Sequence, residues 1–430
     1  MFVEPVRRIR AEVTVPGDKS ISHRAAMFAA IADGESRIEN FLPGEDCLST
    51  IRCLEQLGVK ISFRAERVVV HGVGLKGLQK PGTRLDAGNS GTTMRLLSGI
   101  LCGQEFACEI TGDASLQSRP MDRIIRPLRL MGGDIRGVEK EGCAPLRISG
   151  GRLRGITYEM PVASAQVKSS LLLAGLYAEG STEVIEPEHT RNHTELMLQS
   201  MGADITTEGK RVICRPVARL AARDFFVPGD ISSAAFFMVL GAITGEGEIY
   251  IRDVGLNPTR SGVIDILREM GANLETLNVR TVAGELIGDI RVRSSPLHGI
   301  DFGGAVIPRL IDEIPVIAVA ACFAAGPTVI RDAQELKVKE TNRISVMAGE
   351  LNRIGADVRE TPDGMIISGR RGLAGGEASS HGDHRVAMAL AVAGLGSRDG
   401  VRLHGAECSA VSYPGFFEQL ARLRESARAD

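Results

Sequence analysis

The chain has 430 residues, enough for roughly 2–3 domains, with 43% apolar and 24% charged residues, the balance of an ordinary globular protein. A formal net charge of −2 supplies no global field to recruit nucleic acid or an anionic membrane, and 4% aromatic residues without Trp offer few base-stacking platforms. Any anionic ligand must be held by locally placed Arg and Lys.

In chain order, "MFVEPVRRIRAEV" lacks the apolar core of a secretory signal. Within it, "VRRIRAEVTV" (6–15) reads as a strand. "VPGDKSISHR" (15–24) follows: a Pro-Gly turn and a helix start that carries Lys19, Ser20 and, one turn on, Arg24. Helix N-termini attract anions, and cations are unfavourable there unless an anion is present. The stretch "SISHRAAMFAAIADG" is apolar nearly all round, as a buried helix must be. "QLGVKI" then reads as a helix end, a Gly cap and a strand. "GVGLKG" (72–77) matches GxGxxG, but Pro81 and no helix come after it, so it is no dinucleotide fingerprint.

"GNSGTTMR" (88–95) sets small residues before a helix, with Gly91 and Arg95 in its early turns, as in an anion-cradling turn. "QSRPMDR" holds Arg119 in an extended segment beside Pro120, ready to grip a carboxylate or phosphate bidentately. "LMGGDI", "SAQVKSSLLLAGLYAEG" (from Ser164) and "SMGADI" repeat the pattern. "HTRNH" spaces His189 and His193 four apart without the third ligand that zinc needs. "VPGDISSAAF" (227–236) repeats the opening turn almost without charge. "EMGANL" and "RIGADV" follow the same cap signature.

"LIDEIP" places Asp312 and Glu313 at the start of a buried helix, where acids are favoured. "KVKETNR" (337–343) sets Lys339 and Arg343 four apart, read as one helix face, with Glu340 beside both. "GDHR" (382–385) puts Arg385 at the head of "VAMALAVAGL". The near-apolar run 314–325 is well short of the about 20 residues a membrane-spanning helix needs. Eight cysteines without CxxC spacing fit reduced, buried thiols rather than a zinc site or disulfide framework. These features point to the cytoplasm.

The small-residue helices start near 20, 89, 164, 232, 312 and 383. They imply six repeats of strand, buried helix, strand, second helix, Gly cap and strand. The sixth copy stops at "FFEQLARL", and "VRRIRAEVTV" is expected to supply its missing strand. The boundaries fall at the two "VPGD" turns. Residues 1–18 plus 228–430 form domain I and residues 19–227 form domain II, with three repeats each and a hinge at the two crossings. Facing halves would trap an anionic ligand set and exclude water.

At "PGDKSISHR", "GNSGTTMR", "SRPM", "SAQVKS", "KVKETNR" and "DHR", in that order over essentially the whole chain, the sequence resembles the 5-enolpyruvylshikimate-3-phosphate synthase family. "SAQVKS" and "TRNHTE" are similar to its second bacterial branch. The resemblance implies a two-domain inside-out α/β barrel of six βαβαββ repeats. It implies transfer of the enolpyruvyl group of phosphoenolpyruvate to the 5-hydroxyl of shikimate 3-phosphate, with release of phosphate, in the shikimate pathway toward chorismate and aromatic amino acids. Metal and organic cofactors are not implied. A monomer inhibited by glyphosate is expected, since Gly91 leaves room for that anion.

Residue by residue, the resemblance gives shikimate 3-phosphate Lys19, Ser20, Arg24, Ser164, Ala165, Gln166, Asp312 and Lys339, with Thr190 and Arg191 nearby. It gives phosphoenolpyruvate Lys19, Gly91, Arg119, Gln166, Arg343 and Arg385. Asp312 is the expected proton acceptor, Glu340 the expected donor to the methylene carbon, and Lys19 a catalytic cation. Two positions depart from the pattern: Ala165 stands where many relatives have Ser, and Val411, before "PGFFE", where many have Lys. The related UDP-N-acetylglucosamine enolpyruvyl transferases would place Lys-Asn at Lys19-Ser20 and a loop Cys near "SLQSRPM", which has none. A binding scaffold without chemistry would not need the acids and cations together.

Overall fold

The computed structural model describes residues 1–64, 67–370 and 372–429. Its α-helices are α1 (Lys19–Ala30), α2 (Glu45–Gln56), α3 (Gly91–Cys102), α4 (Ala114–Ser118), α5 (Asp122–Leu130), α6 (Ala165–Gly175), α7 (His193–Ser200), α8 (Ile231–Ile243), α9 (Gly262–Glu269), α10 (Ile314–Phe323), α11 (Arg343–Arg353), α12 (His384–Gly396) and α13 (Phe416–Ala429). The six small-residue stretches are α1, α3, α6, α8, α10 and α12. In α8 every residue from Ile231 to Ala242 is buried. Such a helix exposes no polar face to water, so packing rather than propensity holds it. Each fully buried Leu or Ile contributes about 1.5–3 kcal/mol. The small residues set the spacing: a Cβ added at Gly99 in α3 would fall 2.2 Å from the Ser170 carbonyl oxygen in α6. A larger residue at Gly99 would force these two helices apart.

Among the described residues the strands form six sheets, five of four strands and one of three. One order recurs. In the sheet Leu85–Asp86, Ala107–Thr111, Leu146–Ser149 and Asp134–Gly137, the first pair is parallel and the next two pairs are antiparallel. Gly58, Gly132, Gly202, Gly271 and Gly355, which follow the second helices, all have φ between +89° and +97°, the left-handed cap that the Gly-capped segments from "QLGVKI" to "RIGADV" imply.

The N-terminal strand departs from expectation. Arg8–Thr14 does not complete the sixth sheet; it runs parallel to Glu246–Gly255 in the fourth. The sixth sheet is completed by Phe2–Val3, antiparallel to Val401–His404. Alternation marked Arg8–Thr14 as a strand but says nothing about its partner, and a longer strand stood ready for it.

The chain divides into two compact units. The first comprises Met1–Pro16, Pro228–Thr281 and the residues from Leu286 onward; the second comprises Gly17–Val227 with Val282–Glu285. That tetrapeptide is the tip between strands Asn273–Val282 and Glu285–Arg293, which the sequence reading placed wholly in the other unit. Each unit has its own apolar core. The first "VPGD" turn needs glycine: a Cβ at Gly17 would lie 1.9 Å from the Asn40 carbonyl oxygen. No helix among the described residues is long and apolar enough to cross a membrane.

Candidate active site

In the second unit, Asp18 caps α1 by accepting from Ile21 N at 2.8 Å. This sets Lys19 and Ser20 in the first turn and turns Arg24 inward. Lys19 Nζ lies 3.1 Å from Asp46 Oδ2. Arg24 is 3% exposed and held on three sides. Its Nε donates to Thr194 Oγ1 at 2.8 Å, its Nη2 to Ser169 Oγ at 2.8 Å and its Nη1 to the Ser20 carbonyl at 3.0 Å. Burial pulls the guanidinium down to about 10, which leaves it charged at neutral pH.

Gly91 opens α3, capped by Ser90. Arg95 Nη1 donates to Gln166 Oε1 at 2.5 Å, and Gln166 Nε2 donates to Thr92 Oγ1 at 3.0 Å. The predicted Gln166 is thus oriented by Arg95, a residue the sequence placed near the turn without giving it a task. Arg119 is extended (φ −77°, ψ 140°), as read from Pro120. Its Nη2 donates to Asn89 Oδ1 at 2.7 Å and Ser115 Oγ at 3.2 Å. Ser164 is the N-cap of α6 and accepts from Val167 N at 3.4 Å; Ala165 begins the helix.

Behind these lies a buried ionic set that sequence reasoning missed. Lys168 Nζ sits 2.6 Å from Glu195 Oε1 and 3.1 Å from Glu186 Oε2. Glu186 Oε1 in turn accepts from Thr190 N at 3.0 Å and Thr190 Oγ1 at 2.5 Å. The loop carrying Thr190 and Arg191 is therefore anchored from beneath. A Lys inside "SAQVKSSLLLA", an apolar run, was the available signal, because a lysine almost never sits fully buried unless paired.

In the first unit the expected residues converge. Lys339 Nζ and Arg343 Nη1 each lie 3.3 Å from Asp312 Oδ1. Arg343 Nη2 donates to Glu340 Oε2 at 2.6 Å. Lys339 and Arg343 do not share a helix face, however. Lys339 follows a 3-10 turn (Gln334–Val338), and α11 begins only at Arg343. The pair meets on a carboxylate instead, which removes the like-charge cost by another route.

Arg343 is almost fully buried against Asp383, with Nε 2.8 Å from Oδ2 and Nη2 3.2 Å from Oδ1. Burial alone would pull its pKa down, but Glu340, Asp383 and Asp312 together push it above the ordinary arginine value. Burial disfavours the Asp383 carboxylate, yet Arg343 outweighs it and holds that carboxyl below its usual range. Asp383 also caps α12, accepting from Arg385 N at 2.9 Å, and so sets Arg385 in the first turn of a buried helix. Val411 ends a 3-10 turn (Ala406–Val411) and is partly buried.

Comparison with known proteins identifies the family. The family model for EPSP synthase (3-phosphoshikimate 1-carboxyvinyltransferase) matches residues 3–420. A 3-phosphoshikimate 1-carboxyvinyltransferase of Gloeobacter violaceus is 54% identical over 98% of both chains. One of Desulforudis audaxviator is 53% identical over 98% of this chain and 99% of its own. The solved EPSP synthase of Acinetobacter baumannii superposes with a TM-score of 0.89 at 47% identity, covering 98% of this chain and 97% of the other.

Proposed function

The chain belongs to the EPSP synthase family and catalyses enolpyruvyl transfer to shikimate 3-phosphate in the shikimate pathway, and we propose that the residues described above divide that work as follows. Asp312 accepts the proton of the 5-hydroxyl as its oxygen bonds to C2 of phosphoenolpyruvate. Glu340 delivers a proton to the methylene carbon, which gives a tetrahedral intermediate. Loss of a proton from the resulting methyl group and departure of phosphate from C2 then restore the double bond in the product. Fixed cations stabilise the phosphate as it leaves.

The convergence of Lys339 and Arg343 on Asp312, with Glu340 on the far side of Arg343, carries this reading. It supports an acid and a base sharing one cationic frame, the pairing that general acid–base catalysis requires. Lys19, Ser20, Arg24, Ser164, Ala165 and Gln166 hold shikimate 3-phosphate, the first turn of α6 offering backbone N–H groups where Ala165 has no hydroxyl. Lys339 grips its hydroxyls. Gly91, Arg119, Arg343 and Arg385, with Lys19 and Gln166, hold phosphoenolpyruvate.

Glyphosate inhibits by entering the space beside Gly91 and Arg119. A cytoplasmic monomer fits the free cysteines, most of them buried, with burial pushing the Cys102 and Cys322 thiols up to about 12. Size-exclusion chromatography tests the monomer. The decisive test of the reaction is phosphate release from shikimate 3-phosphate plus phosphoenolpyruvate by the purified, folded chain; no release refutes it.

A further inference from the structure

The second "VPGD" turn reads as plain punctuation, yet its aspartate opens a buried charge cluster that none of the roles above uses. Asp230 caps α8, accepting from Ser232 N at 2.8 Å, and lies 3.4 Å from Arg260 Nη2. The same Nη2 donates to Ser232 Oγ at 2.7 Å, and Ser232 Oγ donates to Glu313 Oε1. Asp230, Ser232, Arg260 and Glu313 are all buried, Glu313 to 1% exposure.

Two features show that Glu313 is more than a helix cap. It stands at the N-cap of α10, yet its side chain makes no capping bond. The carboxylate is committed across the core to α8 instead. Placing a charge there costs several kcal/mol that an apolar residue would avoid, and burial pushes its carboxyl up against the pull of Arg260 and Arg385. What the arrangement achieves is a fixed turn. Glu313 is the peptide neighbour of Asp312, whose 3.3 Å contacts to Lys339 and Arg343 are longer than the about 2.7–2.9 Å of tight charge-assisted bonds. A small shift of the turn would take Asp312 out of reach of both cations or of its substrate hydroxyl.

We propose that Glu313 is a positioning residue for Asp312: Asp230, Arg260 and Ser232 fix its carboxylate, and this fixes the turn that aims the proton acceptor. The role rests on the assignment of Asp312 above. It is tested on the full chain by phosphate release from shikimate 3-phosphate and phosphoenolpyruvate, comparing wild type, Glu313→Ala, Glu313→Gln, Ser232→Ala and Asp312→Asn, with circular dichroism and thermal melts alongside. Glu313→Ala is expected to lower kcat at least about tenfold while KM for phosphoenolpyruvate changes less than about threefold. Glu313→Gln still accepts from Ser232 Oγ and recovers kcat to within about threefold of wild type, with Ser232→Ala in between.

If Glu313→Ala does not fold, Ser232→Ala against Glu313→Gln carries the same comparison. A folded Glu313→Ala or Ser232→Ala with wild-type kcat overturns the role, as does a Gln variant that recovers nothing. A wild type that releases no phosphate, or an Asp312→Asn variant that is fully active, overturns the Asp312 reading and this role with it. An inactive Asp312→Asn beside a fully active Glu313→Ala overturns the positioning role alone.

Discussion

Arg343 and Asp383 form a two-pronged ion pair, Nε to Oδ2 at 2.8 Å and Nη2 to Oδ1 at 3.2 Å, with side chains 2% and 0% exposed. The pair joins the first residue of α11 to the cap of α12, so one contact fixes two helix starts and two candidate ligand-binding cations, Arg343 and Arg385.

Arg343→Lys keeps the charge and loses the fork. It is expected to cut phosphate release at least about 100-fold and to lower stability by about 3 kcal/mol, the loss typical of a broken buried pair. Urea unfolding and steady-state rates measure the two effects separately. An active variant with an unchanged urea midpoint would show that a single charge suffices.

Asp312→Asn tests the proton acceptor. The amide preserves size and some hydrogen bonding but takes up no proton. The expected outcome is a fall in kcat of about 10²–10⁴ with a much smaller change in KM for shikimate 3-phosphate. A large KM rise at near-normal kcat would reassign Asp312 to binding alone.

His23 is fully buried between α1 and α2, its Nδ1 2.7 Å from Thr50 Oγ1. Burial drops its pKa to about 3. The folded state therefore refuses a proton that the unfolded chain accepts below about pH 6.5. Between about pH 6.5 and 3 the unfolded state binds more protons, so stability rises with pH there and is lost as pH falls. At pH 5 the cost is about 2 kcal/mol. His23→Gln removes it, so the difference between wild-type and variant urea midpoints should change between pH 7 and pH 5. A pH-independent difference would mean that His23 titrates normally.

Gly91→Ala is expected to fold and to remain active. Its new Cβ would come 2.9 Å from Arg95 Nη1, the movable end of a long side chain, and 3.7 Å from Arg119 Nη1. On the proposed binding of glyphosate beside Gly91, the methyl would take up part of the space that the inhibitor enters next to Arg119. Half-inhibition by glyphosate should move to concentrations at least about tenfold higher, the loss expected from about 1.4 kcal/mol of crowding. A wild type insensitive to glyphosate would refute the premise.

The buried helices were legible because apolar residues on every side leave only one place for a helix to go, and the Gly caps because a left-handed residue after a helix is a local demand. The cations were legible as conflicts: Arg24 and Arg385 sit where a helix start disfavours them. Long-range choices left no such mark. Nothing local distinguishes Arg8–Thr14 beside Glu246–Gly255 from the same strand beside Val401–His404. Spacing put Lys339 and Arg343 on one helix, and the true link ran through Asp312, 27 and 31 residues away. The cluster at Asp230, Ser232, Arg260 and Glu313 was hidden for the same reason, since Asp230 and Arg260 lie 30 residues apart and Ser232 and Glu313 lie 81 apart.

The pairing of Phe2 with Arg402 has a meaning in time as well as in space. A ribosome adding about 5–20 residues per second makes the two partners roughly 20–80 s apart. Gly17–Val227 is complete well before that, and its last strand, Phe225–Phe226, closes on Asp33–Glu39 from the same stretch. The second unit can thus mature on the nascent chain while Phe2–Val3 and Arg8–Thr14 still wait for their partners. Val282–Glu285 joins it next, and Phe2–Val3 is satisfied only once Val401–His404 has been made.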